Sequence, residues 1–159
     1  GVLGYYDPGS HNITIVSVHW GDNWGYRVEP DHLHTAHLLI DDAGVDIIHG
    51  HSSHHPRPIE VYNRRLILYG CGDLVNDYEG IGGRERYHPE ISAIYFPEVD
   101  PHDGSSVGCR LSVFRMERFA LEKASEEESV RLGRTLGRVS EQFGVRAEHD
   151  GENRLSLRW

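Results

Sequence analysis

Cysteine is scarce. Cys71 and Cys109 are the only two in 159 residues, and they stand far apart with no CxxC spacing and no further thiol. A zinc knuckle and a disulfide scaffold are both excluded on that count, leaving either one Cys71–Cys109 bridge or two unrelated buried thiols. Long hydrophobic runs are missing as well. No apolar stretch approaches the roughly 18–20 residues of a bilayer span, so no membrane span is expected. Positive charge is in deficit: 16 Lys and Arg stand against 25 Asp and Glu, a formal net charge of −9. Such a chain repels a nucleic-acid backbone, although an anionic substrate stays open because a bound metal inverts the local field. Repeats, linkers and low-complexity tracts are also lacking, so residues 1–159 are expected to form a single domain. Gly1 opens the sequence without methionine or a signal-peptide pattern. A start inside a longer protein, or a removed leading segment, is expected.

What is present is enough apolar material for a core, 38% of residues, arranged in readable periods. Residues 12–18 (NITIVSV) read as a buried strand. Asp31 is placed to N-cap a helix carrying Leu33, Ala36 and Ile40 on one face, with Gly44 closing it. Residues 45–48 form a second short strand, so the order is βαβ, which predicts a right-handed crossover and parallel strands. Residues 59–62 and 65–69 pair as a hairpin about Asn63-Arg64, and the Gly-rich stretch 77–83 is a loop. Further strands are expected at 91–96 and 108–119. Ser125 with Glu128 makes a capping box for a helix carrying Leu132, Leu136, Val139 and Phe143. Gly144 stops that helix, and a hairpin of 146–149 with 155–157 turns at Asp150-Gly151.

Histidine is abundant, 12 in all, and four of these, His49, His51, His54 and His55, fall within seven positions. Ligands gather at the carboxyl ends of parallel strands in an open α/β sheet. Both strands of the βαβ unit lead there into histidine, the first into His19 and the second through His49-Gly50 into His51. Gly21 and Gly50 are expected to let the backbone turn so that the imidazoles converge. His54, three residues past His51, is placed to offer another nitrogen. Neutral imidazoles fixed in this way suit a divalent Zn, Mn or Fe ion, so His19, His51 and His54 are the expected ligands. Arg57 can clamp an anionic oxygen or make a surface salt bridge. Asp73 and Asp77 can orient a ligand imidazole through its free N–H or simply cap turns. His55 is expected to be at most a supporting or substrate-contacting group. His32, His34, His37, His88, His102 and His149 are expected to be solvated.

The runs VSVHWGDNWGY (residues 16–26) and DIIHGHSSHHPRPIEVYNRRLILYGCGDLVNDYEGIGG (46–83) resemble the poly-gamma-glutamate capsule biosynthesis (CapA-type) family, part of the calcineurin-like metallophosphoesterase superfamily. The resemblance is strongest over residues 12–83. It implies an α/β (α+β) fold, the C-terminal half of an α/β/β/α sandwich, with a metal centre that is dinuclear when complete. His19 matches the family's histidine after a late central strand, and His51 and His54 match its glycine-histidine…histidine element. Asn23-Trp24 and Asp73 depart from the family's common Glu-Tyr and Asn. The family's early Gly-Asp, Asn-Leu-Glu and Asn-Asn-His elements are absent, and with them the bridging carboxylate, an amide ligand and the general-acid histidine.

The resemblance therefore implies a bacterial, metal-dependent phosphoesterase-like hydrolase present as a half or truncated form. Its substrate would be anionic, a phosphate ester or polyglutamate. A separate N-terminal half, or self-association as a dimer, would complete it. The alternative is a non-catalytic, anionic-polymer-binding component of a capsule synthesis or export assembly, with Trp20, Trp24 and Tyr26 as a binding surface around His19.

Overall fold

The computed structural model describes residues 12–75 and 83–159. Asp77 and the Gly-rich stretch up to residue 82 lie outside the described residues.

The β-branched run forms β1 (Ile15–His19). It is followed by α1 (Pro30–Asp41), which begins two residues earlier than expected: Pro30 is its first residue, and Glu29 holds the cap position without a side-chain bond. Proline's fixed φ and missing N–H suit that first position, so Asp31 falls inside the first turn. The chain returns as β2 (Ile47–His51), parallel to β1. Then β3 (Ile59–Tyr62) and β4 (Arg65–Leu68) pair as the expected antiparallel hairpin. Asn63 and Arg64 both take positive φ, 47° and 66°, the backbone of a two-residue turn that matches strand twist. Because β4 also lies parallel to β2, the sheet runs β1-β2-β4-β3.

A second, antiparallel sheet follows. It comprises β5 (Ile91–Val99), β6 (Ser106–Glu117), β7 (Ala120–Lys123), β8 (Arg146–His149) and β9 (Arg154–Arg158). The order is β5-β6-β9-β8, with β7 added on β6. The single strand expected to run to residue 119 is in fact a hairpin. Arg118 and Phe119 turn at φ 51° and 61° with none of the usual turn residues, which is why the sequence hides it. Between β7 and β8 lies α2 (Glu126–Ser140), whose capping box is formed as expected: Ser125 Oγ accepts from the Glu128 N–H, and Glu128 accepts from the Ser125 N–H.

Two cores hold these layers. Ala36 and Ile40 of α1 pack with Ile48, Ile67, Tyr69 and Trp20 on one face of the first sheet. Ile59, Leu66 and Leu68 on the opposite face meet Leu111, Val113 and Leu155 of the second sheet, together with Leu132 and Leu136 of α2. Cys71 and Cys109 are free thiols buried in that same cluster. The α+β class is thus the observed one. Among the described residues no helix is long and apolar enough to cross a membrane.

Candidate functional site

Strand alternation builds the site. In the β1–β2 register Ser17 is opposite His49 and His19 opposite His51, so all four side chains share one face. His19 and His51 are the last residues of their strands, and their rings stand 5.2 Å apart between centroids in a T-shaped arrangement. His49 joins them, with its ring 5.8 Å from that of His51 and Nδ1 3.0 Å from Ser17 Oγ. Burial, and next the neighbouring His51, hold the His49 ring below the usual histidine range. Sequence reasoning passed over His49, although its position two residues before His51 in one strand was the signal.

Gly50 has a different role from the expected turn. It lies inside β2, where a Cβ would come 2.6 Å from both Leu68 O and Trp20 Nε1, and 2.7 Å from Tyr69 O. Its bare backbone lets Trp20 slide over the strand and donate from Nε1 to Tyr69 O at 3.0 Å. Gly21 does turn the chain, at φ 76°.

The loop after β2 divides its two adjacent histidines between opposite tasks. His54 sits with Nδ1 2.8 Å from Asp73 Oδ2 and Nε2 3.3 Å from Asn23 Nδ2, and Trp24 packs beside its ring at 5.2 Å. A carboxylate on Nδ1 fixes the tautomer that carries its lone pair on Nε2, the atom that faces the Asn23 amide. His55 is fully buried, and Nδ1 donates to Pro56 O while Nε2 accepts from the Gly25 N–H. Burial pushes it down to about 4, against the opposing pull of the Pro56 carbonyl and with smaller help from Arg57 and His54. It is a neutral structural imidazole that ties the 22–26 loop to the 52–56 loop.

Arg57 is also buried, at 4% exposure, with an Nη group donating to Arg27 O. A Cβ at Gly21 would collide with its guanidinium. It pins the loop after β1, a placement unlike either the anion clamp or the surface salt bridge expected for it. The aromatic group divides too: Trp20 is core, whereas Trp24 and Tyr26 pack around His54 and His55. Among the outlying histidines, His37 stacks on Tyr62 at 3.6 Å and bonds Glu60, and His32 stacks on Trp20; both have protein partners.

The structure therefore brings His19 and His51 together and orients His54 separately through Asp73. Among the described residues no three His, Cys, Asp or Glu side chains are grouped to hold an ion. The imidazole pair fits part of a metal site, since a closed tetrahedral ion takes four ligands and a catalytic one three.

Fold and site define a class: a two-sheet α+β protein presenting paired histidines at the carboxyl ends of adjacent parallel strands. Residues 7–78 match the model of the bacterial capsule synthesis protein PGA_cap. The chain is 46% identical over 156 residues to a probable polyglutamine synthesis accessory protein of Mycobacterium tuberculosis, covering 98% of this chain and 40% of that protein. It is 36% identical over 97 residues to the PGA biosynthesis protein CapA of Bacillus subtilis, covering 58% of this chain and 25% of that protein. It is 34% identical over 73 residues to the capsule biosynthesis protein CapA of Bacillus anthracis, covering 45% and 18%. The chain belongs to this CapA-related bacterial capsule synthesis family, and it spans about 40% of the length of its mycobacterial relative.

Proposed function

We propose that this chain carries part of the metal site of a metal-dependent, phosphoesterase-like hydrolase that serves capsule or poly-gamma-glutamate synthesis. The observation that supports the reading best is the His19–His51 pair at two neighbouring strand ends, with the Asp73-oriented His54 in the following loop. His19 and His51 would hold a divalent Mn, Fe or Zn ion, with His54 entering as a further ligand when the site is complete. A second ion would need a bridging anion from elsewhere in the protein. Bound there, the ion would supply Lewis-acid chemistry, polarising a phosphoryl or acyl oxygen and activating water.

The chain's own residues do the rest. Asp73 keeps His54 in one tautomer, His55 and Arg57 hold the flanking loops, and Gly50 admits Trp20 beneath the pair. The remaining ligands would come from a further stretch of the protein or from a second copy of this chain. The substrate would be anionic, a phosphate ester or polyglutamate. The test is turnover of a generic phosphate ester by the full-length protein with Mn, Fe or Zn added in turn. Metal-dependent turnover lost in H51A supports the reading; no turnover with any of the three contradicts it.

The second reading, a non-catalytic component that binds anionic polymer, is favoured by the missing third ligand among the described residues. It would leave polymer binding intact in a protein without turnover.

A further inference from the structure

The chain's cations are unevenly employed. Arg27, Arg64, Arg65, Arg110, Arg115 and Arg158 each pair with a carboxylate. Arg131, Arg134 and Arg138 make no ion pair with any described residue. Their spacing of three and four places them along one side of α2, where like charges at such spacing destabilise a helix. Arg134 and Arg138 are exposed and Arg131 half-buried. In a chain of net charge −9, carboxylates that could neutralise this row are plentiful, yet Glu127 and Glu141, which line the two grooves beside it, make no ion pair with it.

The row is shaped as well as charged. One groove of about 340 Å³ runs between Arg131, Arg134 and Arg138. A second, of about 370 Å³, lies on the other flank, bounded by Arg134, Arg138 and Arg146. The row also connects to the histidine loop through rings. The Arg138 guanidinium lies 5.8 Å from the Tyr26 ring, and Tyr26 lies 5.4 Å from Tyr87, which carries Arg86 at 4.6 Å. Tyr87 in turn is 5.5 Å from Trp24, the ring beside His54. Arginines laid against aromatic faces are pre-ordered without losing their donors.

We infer that the Arg131–Arg134–Arg138 face of α2, continued by Tyr26 and Tyr87, is a docking track for an extended polycarboxylate chain running toward the His54 loop. Guanidinium forks match carboxylates two bonds at a time. Successive arginines rise about 4.5 and 6 Å along the helix, a repeat suited to one carboxylate per unit of a flexible chain. The inference deepens the proposed function and rests on it for the choice of polymer; it does not require the metal.

The experiment is binding of end-labelled poly-gamma-glutamate to the full-length protein in chelator, with polyphosphate and a neutral dextran as comparison probes. R131Q/R134Q/R138Q should weaken polyglutamate binding about tenfold or more, from three charge pairs lost, while the thermal midpoint holds. R110Q/R154Q, on the far face of the second sheet, should bind as the parent does. The charge-keeping R131K/R134K/R138K variant should retain most of the affinity, which guards against a misfolded Gln variant. Unchanged binding by the Gln variant, or tighter binding of polyphosphate than of polyglutamate, would overturn the assignment. Loss of metal-dependent turnover with polymer binding intact would count against the hydrolase reading alone.

Discussion

The His54 Nδ1 atom lies 2.8 Å from Asp73 Oδ2, joining the loop after β2 to the segment after β4. Neither segment is regular structure, so this contact sets the direction of the imidazole. D73A, which removes the acceptor altogether, should keep the fold but weaken metal affinity of the complete site about 10–100-fold. Metal titration followed by calorimetry checks it. An unchanged affinity would show that His54 is not a ligand oriented by Asp73.

Gly50 should tolerate no side chain. A Cβ there would meet two carbonyl oxygens and the Trp20 indole nitrogen at 2.6–2.7 Å, and backbone cannot yield as a flexible side chain does. G50A is expected to cost about 1–3 kcal/mol and to move His51 relative to His19. Urea unfolding measures the first, and nuclear magnetic resonance of the histidine rings the second. Parent-like results in both would refute the close-packing role.

Leu136 is 1% exposed and packs in the cluster shared by both sheets and α2. L136A should lose about 2–5 kcal/mol in denaturant unfolding. A loss within the error of the measurement would remove α2 from the core.

Burial pushes the Cys71 and Cys109 thiols up to about 12 each. Both should therefore resist a thiolate-selective reagent at pH 8 in the native protein and react on unfolding. The sign of the linkage follows. An unfolded thiol ionises near its ordinary value of 9.0, while the folded one keeps its proton to about 12. Stability is thus whole below pH 9 and declines as pH rises between those values. Rapid labelling of the native protein would contradict the burial.

Much of this was legible because it is local. The β1–α1–β2 unit, the Asn63-Arg64 hairpin and the Ser125 capping box each rest on a few neighbouring residues, and each is present. What escaped depends on distant partners. Trp20 reads as a surface aromatic until Tyr69 O is seen to accept its N–H. Arg57 reads as a clamp until the loop after β1 closes over it. His54 and His55 look equivalent in sequence, yet one bonds Asp73 and the other is sealed between Pro56 and Gly25. The turn at Arg118-Phe119 carries no turn chemistry and is fixed by the pairing of β6 with β7.

The central claim is that His19 and His51 hold a metal ion together. Elemental analysis of the full-length protein, beside its H19A and H51A variants, tests it most directly. The account predicts bound Mn, Fe or Zn in the parent and a marked loss of it in each variant, with folding retained. Equal metal content in all three, or none in the parent after supplementation with each ion, would contradict it.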